Sequence, residues 1–283
     1  YGLVGSEMCI RDSPNRVSWF SGTINPPKGS KVNGTNKHMG GPTLDNRDSV
    51  GCERTDSGKP FSCVPLRWKT VPEYLQEAGI SWRVYQDKDN FGDDPLVMWK
   101  QYQTSAKKKG DLAQRGTSFP GLQKFFDDAR DGKLPEVSYI VAPMQLSEHP
   151  PYMPMDGAWI QGEVAKAVMH GKNWDSTALI YSYDETGGWA DHVVSPYPPQ
   201  SEESEWIEDP YDKSNGITPI GPGFRLPFYI VSPWTSGGHV FTEHAAHESQ
   251  IMFLEQWALA HGKPFTSEAV SYTHLTLPTK RIV

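Results

Sequence analysis

Four short apolar runs constrain the fold of this chain more than any other feature of its sequence. They are predicted to be buried strands, and they lie at residues 80–85, 137–141, 178–181 and 228–231. Segments with the periodicity and end signals of helices alternate with them, at residues 70–78, 120–131, 160–169 and 249–260. Such alternation is typical of an α/β fold in which helices flank a mainly parallel sheet. The sequence therefore predicts that architecture, preceded by a long irregular region at residues 14–66.

The third of these runs leads directly into two carboxylates, Asp184 and Glu185. In open α/β sheets, functional groups gather just beyond the carboxyl ends of the strands. Glycines at positions 187–188 allow a sharp turn there, which would return Asp191 and His192 toward the same pocket. An acidic pair before two glycines is also typical of a solvated turn, and this segment alone leaves both interpretations open.

Two other segments carry a histidine beside a carboxylate. One is Glu148-His149, which follows the second predicted strand, and the other is His247-Glu248, close to the start of the last predicted helix. A carboxylate partner fixes the tautomer of an imidazole and raises its basicity. Both histidines are therefore candidates for a functional site, although each one alone is equally compatible with a structural role.

Composition and charge exclude several classes of function. The formal net charge is -7 and the pI is about 5.7, and no basic run is longer than Lys107-Lys108-Lys109, which argues against a nucleic-acid-binding protein. No apolar stretch approaches the ~20 residues that a transmembrane helix needs. Cys52 and Cys63 lie in a loop-rich segment and are compatible with either a disulfide or two free thiols.

Both ends of the chain differ in character from the rest. Residues 1–13 and 269–283 resemble translated sequencing-adapter DNA of the kind found on fragments from metagenomic assemblies, so we leave them out of the fold prediction. We expect residues 14–268 to form one partial domain, which is long enough to bury a single core. On this interpretation the natural gene continues upstream, and any signal region lies outside the chain.

Several ordered strings of sequence resemble one known family. They include SPNR at 13–16, GISWRVYQDKDNFGDDPL at 79–96, SEHPP at 147–151, YSYDETGGWADHV at 181–193 and GFRLPFYIVSPW at 223–234. Together they resemble the phosphoesterase family of bacterial and fungal phospholipases C and acid phosphatases, which is similar in fold to alkaline phosphatase. The DNFGDDPL and MDGAWI strings are most similar to the phosphocholine-preferring phospholipases C. The resemblance therefore implies an α/β, alkaline-phosphatase-like fold.

The resemblance also implies roles for individual residues. Asp184 and Glu185 would hold a divalent metal cation of unknown identity, because carboxylates are hard oxygen ligands. Catalytic roles, either binding phosphoryl oxygens or protonating the leaving group, would fall to His149, His192 and His247. Glu148 and Asp191 would orient these histidines.

Parts of the family pattern are missing from this sequence. The family nucleophile is a Thr or Ser two positions before the Pro14-Asn15 step, where this chain has Asp12, and the upstream Glu-Asn metal ligands have no counterpart. Ala246 also stands where the family usually has a carboxylate before its histidine, which leaves the orientation of His247 open. We therefore expect the chain to be N-terminally truncated and inactive as written, whereas the natural protein is expected to be an active esterase.

The most specific function that the resemblance implies is that of a phospholipase C. Such an enzyme would cleave phosphatidylcholine-type phosphodiesters through a metal-assisted phospho-enzyme. Tyr152, Trp159 and Trp189 are candidates for a cation–π cage around a choline ammonium group. The partners would be a phospholipid or small phosphoester and, transiently, a membrane surface, in an extracytoplasmic location. Two alternatives stay open, namely an acid phosphatase that acts on monoesters and an inactive binding protein on the same scaffold.

Overall fold

A computed structural model describes residues 12–26, 49–50, 63–186, 193–200, 205–209, 212–242 and 245–268. Within these ranges the α-helices are α1 Asp12–Ser21, α2 Val71–Glu77, α3 Lys100–Lys107, α4 Asp111–Gly116, α5 Leu122–Asp131, α6 Pro154–Met169 and α7 His247–Ala260. The strands are β1 Ser49–Val50, β2 Cys63–Val64, β3 Trp82–Gln86, β4 Val137–Val141, β5 Leu179–Ser182, β6 Trp206–Glu208, β7 Ile217–Pro219 and β8 Phe228–Val231. The four apolar runs are therefore confirmed as strands β3, β4, β5 and β8. The prediction that all four are buried was wrong for β8, where Phe228 and Tyr229 are 46 and 40% exposed.

The described strands form four two-stranded sheets rather than one large sheet. The β1–β2 and β3–β4 pairs are parallel, whereas the β5–β8 and β6–β7 pairs are antiparallel. This mixture of helices and small sheets is compatible with the α/β class, but the expected mainly parallel sheet is not seen among the described strands. The difference has a physical reason, because an apolar run predicts a strand but carries no information on the direction in which that strand pairs.

The parallel β3–β4 pair lies between two helical layers. Trp82 and Val84 of β3 belong to a core cluster to which α1, α2 and α7 contribute. Tyr85, the next residue of the strand, belongs to a second cluster built largely from α5 and α6. Successive side chains of a strand point to opposite faces, so this division places helices on both sides of the pair. The prediction that helices flank the strands on both faces is therefore confirmed for the β3–β4 pair.

Local signals account for the ends of α5 and α6. The chain leaves α5 at Gly132, whose φ of 72° is in the left-handed region that glycine adopts readily. α6 begins at Pro154, earlier than the predicted start at residue 160. Proline fits the first turn of a helix, and the Asp156 carboxylate accepts a hydrogen bond from the Met153 N–H at 3.0 Å.

The prediction of an irregular region from residue 14 was wrong at its beginning, because α1 forms there. Phe20 of α1 is fully buried, and its ring centroid lies 4.7 Å from that of Tyr139 on β4. Trp19 packs edge-on against the same tyrosine, with 5.6 Å between the centroids. Long-range aromatic packing thus stabilises this helix, and such packing leaves no local signal in the sequence.

Some expectations fall outside the described residues. Cys52 is one of these, so the state of the two cysteines stays a prediction. The adapter-like character of residues 1–13 and 269–283 also stays a prediction, although α1 already includes the last two residues of the first segment. Within the described ranges, no helix is long and apolar enough to cross a membrane.

Candidate functional site

A cavity of about 1320 Å³ brings the predicted site segments together. Its walls come from β4 and β5 and from α1, α6 and α7. Every candidate site residue within the described ranges lines it, namely Glu148, His149, Asp184, Glu185 and His247. The remaining two candidates, Asp191 and His192, lie outside the described residues and stay predictions. Three distant segments of the sequence therefore meet at one cavity.

Asp184 is held by an arginine that the sequence analysis did not identify. Its Oδ2 atom accepts hydrogen bonds from Nε and Nη2 of Arg16, at 2.9 and 2.6 Å. The same Nη2 lies 3.1 Å from Oδ2 of Asp93, and Nη1 donates to the Asp93 carbonyl at 2.9 Å. The three side chains are only 15 to 29% exposed. Because a guanidinium donates in a rigid planar fork, Arg16 fixes α1 against the loops that follow β3 and β5.

The described residues supply only part of a metal site. Asp184 and Glu185 both line the cavity and offer the hard oxygen atoms that divalent cations prefer. However, Oδ2 of Asp184 is bound by Arg16, and its Oδ1 accepts the N–H of Glu185 at 3.0 Å. Among the described residues, no group of three or more His, Cys, Asp or Glu side chains is placed to hold an ion. The donor chemistry therefore suits a divalent cation, but further ligands are needed.

His247 is the first residue of α7 and contacts the backbone just before Asp184. Its Nε2 atom lies 3.1 Å from the carbonyl oxygen of Tyr183. A carbonyl oxygen only accepts hydrogen bonds, so Nε2 carries the proton of this contact. The preceding Ala246 caps the helix through its backbone, whose N–H donates to Oγ of Ser249 at 3.1 Å. His247 is thus oriented by the end of β5 and not by a carboxylate at position 246.

The first turn of α7 is also fixed to β5 and to α1 by side chains. Gln250 donates from Nε2 to Oγ of Ser182 at 2.8 Å, and its Oε1 accepts the indole N–H of Trp19 at 3.0 Å. Ser18 of α1 donates to Oε1 of Glu248 at 2.9 Å. These bonds join three elements that are far apart in sequence, and they place His247 beside the loop that carries the two carboxylates.

His149 lies in the loop before α6, with its ring against an aromatic side chain. Nδ1 of His149 lies 2.6 Å from the Pro150 carbonyl and therefore donates to it, which leaves the lone pair of the ring on Nε2. The Phe91 ring is 5.1 Å away, centroid to centroid. Phe91 has a φ of 66°, a left-handed conformation that is unfavourable for an aromatic residue. Such strain persists where the surrounding structure enforces it, and it clusters at functional sites.

A buried polar network holds the turn that carries Phe91. Gln86 donates from Nε2 to Oδ2 of Asp94 at 2.9 Å, and Oδ1 of Asn90 accepts the Gly92 N–H at 3.0 Å. Burial raises the pKa of Asp94 to about 7, although the hydrogen bond from Gln86 opposes the shift. The DNFGDDPL segment is therefore fixed from inside the fold, while the Phe91 ring reaches the cavity.

Glu148 is held by α6 and by the residue that follows β5. Its Oε1 atom accepts hydrogen bonds from Nε2 of Gln161 at 2.7 Å and from the Tyr183 hydroxyl at 2.8 Å. Gly157 provides the space, because a Cβ atom at that position would lie 2.2 Å from Cγ of Glu148. Burial raises the pKa of Tyr183 to about 12, so its hydroxyl keeps its proton and remains a donor at neutral pH. The Glu148 carboxylate is thus fixed by Gln161 and Tyr183, and its role in orienting a histidine stays a prediction.

Several residues that shape the site were missed by sequence reasoning, among them Arg16, Asp93, Gln161 and Tyr183. Arg16 and Asp184 are 168 positions apart, and no local pattern pairs them. The signal that could have found Arg16 and Asp93 was their position inside the SPNR and DNFGDDPL strings. Of the residues expected to cage a choline group, neither Tyr152 nor Trp159 lines the cavity, and Trp189 lies outside the described residues.

Comparison with known protein families shows to which family this chain belongs. The model of the family described as "Phosphoesterase family" matches residues 9–259, well over half of the 283 residues. The chain belongs to the phosphoesterase family. The resemblance drawn from the sequence strings is therefore confirmed, and the candidate residues at the cavity are those that the resemblance singled out.

Relatives of this phosphoesterase include proteins named as phospholipases C. The non-hemolytic phospholipase C of Pseudomonas aeruginosa is 37% identical over 260 residues, which cover 86% of this chain and 35% of that protein. Phospholipase C B of Mycobacterium tuberculosis is 32% identical over 255 residues, covering 86% and 45%. The non-specific phospholipase C6 of Arabidopsis thaliana is 32% identical over 136 residues, covering 42% and 24%. The chain thus spans less than half the length of each of these relatives.

Proposed function

We propose that the natural protein hydrolyses phosphodiesters as a phospholipase C, with phosphatidylcholine-type lipids as substrates. The observation that carries this proposal is the cavity at which His149, Asp184, Glu185 and His247 meet. The names of the bacterial relatives support the substrate class. The proposal concerns the whole natural protein, because the present chain corresponds to only part of the length of those relatives.

We propose a divalent cation as the cofactor. When bound, it would neutralise the phosphoryl oxygens and polarise the phosphorus centre. Asp184 and Glu185 would hold it together with ligands from outside the described residues, such as the upstream Glu-Asn pair of the family. Arg16 would keep its place on Oδ2 of Asp184, since carboxylates that bind metals are commonly held by a further hydrogen-bond partner.

The proposed reaction passes through a phospho-enzyme. A Thr or Ser hydroxyl, at the position that Asp12 takes here, would form a bond to phosphorus while the bond to the diacylglycerol oxygen breaks. The hydroxyl proton would pass to water, and His149, in its imidazolium form with protons on both ring nitrogens, would give the Nε2 proton to the leaving alkoxide while Nδ1 stays on the Pro150 carbonyl. Water would then release the phosphorylated head group, with His192 proposed to assist.

The same proposal covers the architecture, the extent and the location of the protein. We propose that residues 14–268 are the phosphoesterase part, and that the complete sheet is mainly parallel and alkaline-phosphatase-like. The chain as written is proposed to be inactive, because Asp12 stands at the nucleophile position. An extracytoplasmic location is proposed because exposed phospholipids would be the substrates.

Substrate comparison tests the proposed function. We expect the natural protein, with its own upstream sequence, to hydrolyse p-nitrophenylphosphocholine with a kcat/KM at least ~10-fold higher than that for p-nitrophenyl phosphate, a difference of ~1.4 kcal/mol in activation free energy. Preference for the monoester would contradict the proposal in favour of an acid phosphatase. Turnover of neither substrate would favour an inactive binding protein.

A further inference from the structure

The first turns of α6 and the residue that precedes them expose three large apolar side chains. Met153, Met155 and Trp159 are 59, 70 and 57% exposed. Met155 and Trp159 are four residues apart, so they are neighbours on one face of the helix. Isolated apolar residues are common on protein surfaces, but a contiguous apolar group often marks a contact surface. We call Met153, Met155 and Trp159 the α6 apolar patch.

The patch is separate from the face by which α6 packs on the protein. That packed face contains Gly157, Ile160 and Val164, all of which are buried. With 3.6 residues per turn, these positions lie on the opposite side of the helix from Met155 and Trp159. Met155 and Trp159 are therefore not a poorly covered edge of the core, because their side chains point away from it.

The patch lies at the edge of the candidate site. Gly157, in the same turns of α6, is in close contact with Glu148, and His149 precedes Met153 by only four positions. Phe91, whose ring lies against that of His149 at an angle of 49°, is itself 41% exposed. Gly157, Ile160 and Val164 face the cavity from the other side of α6, so a surface bound to this patch would meet the cavity at the loop that carries Phe91 and His149.

The charge around the patch indicates what kind of surface it fits. Residues 147–165 contain no lysine or arginine but three acidic residues, Glu148, Asp156 and Glu163, and the whole chain carries a formal charge of -7. Anionic lipids attract basic segments and repel acidic ones. Tryptophan and other large apolar side chains, by contrast, insert readily into the interface of a bilayer. The chemistry of the patch therefore matches a zwitterionic membrane and not an anionic one.

We propose that the α6 apolar patch docks the protein on a zwitterionic phospholipid surface, beside the cavity that would receive the lipid head group. This inference rests on the proposed function for the identity of the substrate, but the docking itself requires no turnover. Trp159 then acts at the membrane interface, which agrees with its absence from the cavity wall. Docking through this patch would bring lipid head groups to the side of the cavity that carries His149.

Vesicle binding by the 283-residue chain tests the docking surface. We expect the chain to co-sediment with phosphatidylcholine vesicles, and more weakly when part of the lipid is phosphatidylglycerol. Met155→Glu and Trp159→Glu should each reduce the partition coefficient at least ~10-fold, because each removes a large apolar group from the interface and adds a negative charge. Unchanged urea midpoints would show that the variants remain folded.

Met169→Glu is the matched control, because Met169 is 46% exposed and belongs to the same helix, about 21 Å from Met155 along the axis. Its vesicle binding should equal that of the unchanged chain. No binding by the unchanged chain, or equal loss in all three variants, would overturn the proposal. Self-association in the absence of vesicles that Trp159→Glu abolishes would assign the patch to a second copy instead. Vesicle binding is measured without substrate turnover, so a failure here is distinct from a failure of the proposed hydrolysis.

Discussion

Replacing Arg16 by alanine is expected to lower the free energy of unfolding by about 2 kcal/mol and to reduce phosphodiester turnover at least ~100-fold. The Nη2 atom of Arg16 lies within hydrogen-bonding distance of both Asp93 and Asp184. Its removal would take away a guanidinium that lies against two largely covered carboxylates. Urea unfolding of the chain measures the first effect, and hydrolysis of the phosphocholine diester by the natural protein measures the second.

A conservative substitution of Arg16 separates the effect of its positive charge from the effect of its hydrogen-bond geometry. Arg16→Lys keeps the positive charge but has one nitrogen, so it cannot reproduce the two bonds to Asp184 together with those to Asp93. Compared with Arg16→Ala, the Arg16→Lys variant should therefore recover part of the lost stability but little of the lost activity. Arg130→Ala is the control, because Arg130 is 66% exposed and its pairs with Asp127 and Asp131 lie at the surface, so no change in the urea midpoint is expected. An Arg16→Ala variant as stable and active as the unchanged protein would contradict this account.

Replacing Gly157 by alanine is expected to reduce phosphodiester turnover of the natural protein by about 10- to 100-fold. The added Cβ would lie 2.2 Å from Cγ and 2.6 Å from Oε1 of Glu148, so the glutamate side chain must move. Moving it would disturb its bonds to Gln161 and Tyr183 and the position of the adjacent His149. The loss should appear mainly in kcat, because the altered group serves the chemical step.

Gly162→Ala is the matched control for that substitution. Gly162 lies in the same helix, and a Cβ atom there would meet nothing within 4 Å. Alanine is favoured over glycine inside a helix by up to ~1 kcal/mol, so this variant should be slightly more stable and fully active. Equal activity of the Gly157→Ala and Gly162→Ala variants would show that the placement of Glu148 has no part in the reaction.

Much of the fold could be predicted from periodicity, because the relevant signals are local. The apolar runs at β3, β4, β5 and β8 and the helices α2, α5 and α7 lie close to where the sequence predicted them. Strand direction could not be predicted in this way, since β5 and β8 form an antiparallel pair although each resembles a strand of a parallel sheet. The helix α1 was missed because its stability comes from contacts with Tyr139, far along the chain.

The candidate site, like the fold, could be predicted only in part from the sequence. The family strings identified the carboxylates and histidines, and the structure places those within its described ranges at one cavity. What the sequence could not reveal is how these groups are held. The bond between Arg16 and Asp184 and the close approach of Gly157 to Glu148 exist only after folding, and both depend on the relative placement of separate elements.

The most direct test of the central claim, that this cavity is a phosphoester-cleaving site, is turnover of p-nitrophenylphosphocholine by the Asp184→Asn variant of the natural protein. Asparagine has nearly the same shape but no charge, so we expect kcat to fall at least ~1000-fold while the protein remains folded. Asp175→Asn, at an exposed carboxylate shortly before β5, should keep full activity. An Asp184→Asn variant with turnover close to that of the unchanged protein would contradict the assignment of this cavity as the active site.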